Sequence, residues 1–152
     1  MLFRSEVLRA VARPWAGPLP SPTVVRELPD RLRGGQRLFD RTGGVHAAGL
    51  ATADGDVLVV REDVGRHNAV DKVVGHALLE GPFPLTDHLL VVSGRVSFEI
   101  VQKAVAAGVA GIVAVSAPSS LAVDLAREHG LLLAGLVRPG RMNLYAHADR
   151  VV

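Results

Sequence analysis

From Val45 to the carboxyl end, short runs of Val, Ile, Leu and Ala alternate with segments of helical period, and a glycine or a small polar cluster stands at most junctions. This alternation constrains the fold more than any other feature. Val45–Thr52 and Val57–Arg61 read as strands joined at Asp54-Gly55, a strong hairpin signal. Asn68–Leu79 reads as a helix, because Val70, Val73, Val74, Ala77 and Leu78 recur at helical spacing. Leu89–Val92 is a short buried strand. Phe98–Ala107 is a helix closed by Gly108, and Gly111–Val115 a strand. Ser120–His129 is a helix closed by Gly130, Leu131–Val137 a strand, and Asn143–His147 a last strand. A hairpin followed by repeated β-α-β units implies a three-layer α/β/α domain with a mostly parallel sheet of about five or six strands.

Composition narrows the function classes. The chain has 152 residues, 49% hydrophobic and 21% charged, which suits one globular domain. Aromatics are only 4%, too few for a base-stacking surface on single-stranded nucleic acid. A net charge of +2 is too small for a phosphate-backbone binder, so no nucleic-acid partner is expected. There is no cysteine, which excludes disulfides, thiolate catalysis and Cys-ligated zinc within this chain. The longest apolar stretch, Ala104–Val115, is punctuated by Gly108 and Gly111, and Met1–Glu6 holds no apolar signal core. The expectation is a cytoplasmic protein with no membrane partner.

Pro14, Pro18, Pro20, Pro22 and Pro29 are five of the nine prolines. Residues 1–28 therefore read as a Pro-rich arm or linker with one short helix over Ser5–Arg13, and residues 29–152 as the folded α/β domain. Pro29–Phe39 looks helical, with Leu32 and Phe39 as core contacts and a weak break at Gly34-Gly35.

Ligands of open α/β sheets bind outside the carboxyl ends of the strands. Four segments fall there: Glu62–Asn68, Ser93–Ser97, Ser116–Ser120 and Arg138–Arg141. Three of them open into helices, whose free N–H groups favour anions. Arg66, Arg95, Arg138 and Arg141 add guanidinium forks suited to phosphate oxygens. The edge thus reads as a site for a phosphate-bearing ligand. Some of these residues have plainer roles to weigh. Asn68 and Asp71 suit a helix cap and its first-turn acid, and Ser119 and Ser120 an ordinary helix start. His67 stands out because Glu62, Asp63, Arg66 and Asn68 crowd the same turn, and His46 follows Gly43-Gly44. His76, His88 and His129 receive no role.

The element order is also that of the cytidine deaminase fold. Those enzymes set a zinc-binding His, with a Glu two residues on, at the start of the helix after the second strand, and Pro-Cys-x-x-Cys at the next helix. Here the first place holds His67-Asn-Ala69 and the second Ser93-Gly-Arg-Val-Ser-Phe98, with neither Glu nor Cys. The scaffold matches and the chemistry does not. No tightly held metal is expected, and a metal-dependent hydrolase using His67 and His46 stands as the rival reading.

Five segments in order carry a resemblance. They are Thr42–Ala48, Arg61–Lys72, Ser93–Lys103, Val115–Asp124 and Arg138-Pro-Gly-Arg141. Together they resemble the formate dehydrogenase accessory protein family, FdhD/NarQ, over about Pro29–Val152. The resemblance implies a cytoplasmic sulfur carrier, a sulfurtransferase that receives persulfide sulfur from a cysteine desulfurase. It delivers that sulfur to the molybdenum bis-guanine-dinucleotide cofactor, which formate dehydrogenase requires. It also implies a cytidine-deaminase-like domain and a homodimer. The family's cofactor-binding segment corresponds to Leu136, Val137, Arg138, Pro139, Gly140 and Arg141, and the sheet-edge reading adds Arg66, His67, Asn68, Ser93 and Arg95. The family carries sulfur on a Cys-x-x-Cys pair ahead of a short helix, here resembling Ser5–Arg13, and no such pair is present. The expectation is a truncated carrier, with a split product or a cofactor-binding or partner-docking module without sulfur transfer as alternatives.

Overall fold

A computed structural model describes Trp15, residues 17–81, Phe83 and residues 85–152. The helix expected over Ser5–Arg13 lies outside the described residues. The elements run α1 (Pro22–Arg33), α2 (Arg37–Thr42), β1 (His46–Thr52), β2 (Val57–Asp63), α3 (Arg66–Glu80), β3 (His88–Val92), α4 (Phe98–Ala107), β4 (Gly111–Ala114), α5 (Ser120–Glu128), β5 (Leu132–Arg138) and β6 (Arg141–Ala146), closed by a 3₁₀ turn at Ala148–Arg150.

The six strands form one sheet in the order β2-β1-β3-β4-β5-β6. Its centre, β3-β4-β5, is parallel. Both flanks are antiparallel, β2-β1-β3 on one side and β5-β6 on the other. The parallel character is confined to the strands linked by helical crossovers, because hairpins can join only antiparallel neighbours. Since β1 runs against β3, its first residue, His46, and its partner on β2, Asp63, lie at the carboxyl edge of the parallel strands.

Three helices cover one face. Val70, Val73 and Ala77 of α3, Ile100, Val101 and Ala104 of α4, and Ala122, Leu125 and Ala126 of α5 pack there with Leu90, Ile112 and Leu133. Ser97 and Ser119 start α4 and α5 by accepting from Ile100 N at 3.4 Å and Ala122 N at 3.1 Å. Ser119 therefore has the ordinary capping role.

The other face is covered by α1, which corrects the expected boundary at residue 28. The helix begins at Pro22, not at Pro29. Ser21 accepts from Val24 N at 3.2 Å, and Pro22 occupies the first turn, where a missing N–H costs nothing. Proline punctuation that reads as extended chain is here a helix start. Val25, Leu28 and Leu32, spaced three and four apart, are fully buried against Leu89, Val91, Val113 and Leu132. Burying a leucine contributes roughly 1.5–3 kcal/mol, so residues 22–28 belong to the core and not to an arm. Gly49 on β1 admits this helix: a β-carbon there would lie 2.8 Å from Leu32 Cδ1. The Gly34-Gly35 break does end the helix, and α2 follows as a separate short element.

Candidate functional site

The β3–β5 carboxyl ends open on the α1 side into a cleft of about 690 Å³. Small-ligand sites span roughly 300–1,000 Å³. Its walls are Pro29, Asp30 and Arg33 of α1, Gln36 and Phe39 at α2, the Gly43–His46 segment, Ser93, Val115, and Val137, Arg138 and Pro139 at the end of β5.

Local structure explains why β5 ends this way. Leu136 adopts φ +50°, a left-handed conformation that costs a non-glycine residue roughly 1–2 kcal/mol. The register against β6 shifts between Gly135 and Arg138, and Leu136 N donates to Ser116 O at 3.3 Å. The bulge re-aims the strand end. Arg138 and Arg141 then face each other across the Pro139-Gly140 turn of a hairpin. Both arginines are exposed, as is Arg95, and none forms an ion pair with a described residue. The segment is thus a turn between two strands.

Opposite it stands the α1–α2 wall. The Arg33 guanidinium lies 4.5 Å from the Phe39 ring centroid and is held by an ion pair with Asp40 and a 3.3 Å bond to Gln36 O. Glu62 accepts from Leu38 N and Phe39 N, each at 2.9 Å, and so fixes the start of α2 from β2. Gln36 is only 4% exposed, and its side-chain amide makes no hydrogen bond to a described residue.

The β2–α3 turn behaves differently. The Asp63 carboxylate pairs with Lys72 Nζ at 2.8 Å and accepts from Gly65 N at 2.8 Å and Asn68 Nδ2 at 3.2 Å. These donors, Lys72 foremost, hold its pKa at about 2. Lys72 also donates to Glu62 O at 2.8 Å. The His67 ring Nε2 lies 3.0 Å from Ser97 Oγ and joins the turn to the start of α4. Asn68 and His67 are therefore engaged within the protein.

Arg66 and Ser93 lie between the two regions. Ser93 Oγ accepts from Ala47 N at 2.8 Å and its own N–H donates to Ala47 O at 3.0 Å, which locks the end of β3 to β1. A β-carbon on Gly94 would come within 3.2 Å of His46 Nδ1 and 3.5 Å of Arg66 Cβ, so Gly94 lets Arg66 and His46 close on one another. Arg66 Nε is buried and has no hydrogen-bond partner. A buried guanidinium N–H without an acceptor is costly, and an anion would satisfy it.

Of the expected site residues, the cleft lining includes Ser93, Val137, Arg138 and Pro139. Leu136 shapes the strand end, while Gly140 and Arg141 stand in the hairpin beyond it. Arg66 lies behind His46, which joins the lining although the sequence left its role open. Sequence reasoning missed Asp30, Arg33 and Gln36, and placed Phe39 in the core; the one available signal was the Gly34-Gly35 interruption of an otherwise amphipathic segment. Among the described residues no three His, Asp or Glu side chains gather as a metal site.

Fold and cleft together define the class: an α/β domain with a parallel-centred sheet and an open cleft at its carboxyl edge. The profile of the FdhD/NarQ family matches residues 4–152, and the chain belongs to that family. It is 63% identical over 131 residues to the sulfur carrier protein FdhD of Streptomyces coelicolor, covering 86% of this chain and 46% of the relative. It is 56% identical over 149 residues to FdhD of Nocardia farcinica, covering 96% and 53%. A crystal structure described as that of a formate dehydrogenase accessory protein from Desulfotalea psychrophila superposes with a TM-score of 0.84 at 31% identity, over 97% of this chain and 62% of that one. The chain thus spans about half the length of these curated relatives. No helix among the described residues is long and apolar enough to cross a membrane.

Proposed function

We propose that this chain is the cofactor-binding domain of a sulfur carrier that serves formate dehydrogenase, and that its cleft holds the molybdenum bis-guanine-dinucleotide cofactor as a client. The observation that carries this reading is the cleft itself, where Ser93 and the Val137–Pro139 strand end converge with His46. The chemistry fits a dinucleotide. Its phosphates need cationic donors, which Arg138 and Arg141 offer at the hairpin, and the partnerless Arg66 Nε behind the Gly94 loop needs an anion. The cleft volume of about 690 Å³ suits one nucleotide half.

Persulfide sulfur must ride on a thiolate, and this chain has no cysteine. Its part is to bind and orient the client while a thiol outside this chain carries the sulfur. A cysteine desulfurase as donor, formate dehydrogenase as recipient, a homodimeric assembly and a cytoplasmic setting complete the proposal; the names of the relatives support the carrier and accessory roles.

The test is calorimetric titration of the folded chain with GDP, beside ADP and CMP. GDP stands for one half of the guanine dinucleotide. Saturable binding of GDP that exceeds ADP and CMP is the expected result. Absence of GDP binding to a folded chain contradicts the reading.

A further inference from the structure

We propose that the outer face of α2, with Arg37 and Arg41 as its charges and Leu38 as its apolar anchor, docks an acidic surface of the recipient enzyme beside the mouth of the cleft. This rests on the accessory role proposed above and adds the surface that meets the partner. None of the six residues of α2 is buried. Isolated helices shorter than roughly 12–15 residues are marginal in water, and a short one is normally held by packing of a buried face. Here polar contacts hold it. Glu62 accepts from Leu38 N and Phe39 N, and Arg33 pairs with Asp40 while lying over the Phe39 ring. Phe39 lines the cleft, whereas Arg37, Leu38 and Arg41 stand outside its lining. All three are exposed, Leu38 at 48%. Neither arginine has an ion pair or a side-chain hydrogen bond with a described residue.

The spacing makes this face unfavourable without a partner. Residues four apart on a helix are neighbours, and like charges there repel. Arg37 and Arg41 stand at that spacing, and Asp40, the one acid of α2, is engaged by Arg33. Two guanidinium groups so placed match a pair of carboxylates, which Arg binds in a bidentate fashion. Leu38 lies between them in the chain, and Val64, 78% exposed, is in the turn that follows Glu62. These apolar side chains offer a protein partner a contact to bury. Two arginines and two apolar side chains are too few to hold a lipid surface, which takes a broad apolar face or a longer basic cluster. A nucleic acid needs a row of phosphate contacts, and the six-residue helix is too short to supply one. Since neither arginine lines the cleft, the phosphates of the client fall to Arg138 and Arg66.

The experiment measures association of the 152-residue chain with a formate dehydrogenase of the same organism, purified without its cofactor, by biolayer interferometry at about 50 and 300 mM salt. The parent is compared with Arg37→Ala/Arg41→Ala and with Arg150→Glu, which changes the net charge by the same amount in the closing 3₁₀ turn. Charges at the rim of an interface act mainly on the association rate. The double variant should slow association by about tenfold at the lower salt and lose most of the salt dependence, while Arg150→Glu stays within about twofold of the parent. The double variant should also keep the parent melting temperature and GDP affinity, because alanine favours helix and the repulsion is gone. Equal slowing by Arg150→Glu reduces the effect to net charge and overturns the docking surface. A parent chain that does not bind the enzyme overturns it too. So does a loss of GDP affinity in the double variant, which assigns the arginines to the client. Binding of the parent to phosphatidylserine vesicles that the double variant loses assigns them to a membrane and likewise overturns the proposal. A parent that docks on the enzyme and binds no GDP overturns the cofactor reading alone.

Discussion

Two polar regions share the carboxyl edge of one sheet and differ in what their side chains touch. At the β2–α3 turn, Asp63, Asn68, Lys72 and His67 all bond to one another, to the backbone or to Ser97. In and behind the cleft, Gln36 lines the wall, Arg66 Nε is buried without a partner, and Arg138 is exposed and in no ion pair with a described residue. Both regions look equally rich in sequence. What separates them is hydrogen bonding, which polar density in the sequence does not show. Internally satisfied groups set the geometry of a turn, whereas unsatisfied groups beside a cavity leave bonds for a ligand to make.

The contrast can be broken from either side. The largest effect should come from Leu28→Ala, because this fully buried residue anchors the helix that forms the cleft wall. Urea unfolding should show a loss of about 2–5 kcal/mol. A near-neutral result would return residues 22–28 to the arm read from the prolines. Next, Arg138→Glu should weaken GDP by about tenfold or more with the melting temperature unchanged, since the residue is exposed and its side chain is in no ion pair with a described residue. Asn68→Ala should do the reverse. It removes the bond to Asp63 and should cost stability by about 1 kcal/mol or less, with GDP affinity preserved. A loss of GDP affinity there would move the ligand across the sheet edge.

The smallest effect is a pH dependence. Asp63 has its folded pKa lowered to about 2 by Lys72, Gly65 and Asn68, against roughly 3.9 in an unfolded chain. A depressed carboxylate stabilises the fold fully above the unfolded value and loses that contribution as pH falls through the folded one. The Gly65 amide resonance, which reports the 2.8 Å bond, should therefore titrate near pH 2. A midpoint near 4 would mean that the turn is not locked.

Most of the fold is legible in the sequence because its signals are local. The Asp54-Gly55 turn, the valine spacing of α3 and the glycines after α4 and α5 each dictate a conformation within a few residues. What escaped depends on distant partners. Pro22 starts a helix only because Val25, Leu28 and Leu32 find the uncovered face of the sheet. The antiparallel flank β2-β1-β3 follows from where β3 inserts, which no local pattern states. The candidate site divides the same way. Arg138 and Ser93 lie at strand ends and could be found from topology alone. Gln36 could not, since a glutamine after two glycines looks like loop until the third dimension buries it. For His67 and Asn68 the sequence shows the polar density and hides the hydroxyl and carboxylate that engage them.

Titration of the isotopically labelled chain with GDP, followed by amide and side-chain NMR, tests the central claim most directly. The account predicts saturable shifts at the Gln36 side-chain amide, Arg66 Nε, Ser93 and Arg138, with the Asn68 side-chain amide and Lys72 unmoved. Shifts that centre on Asn68 and Lys72 and leave Gln36 and Arg138 still would contradict it.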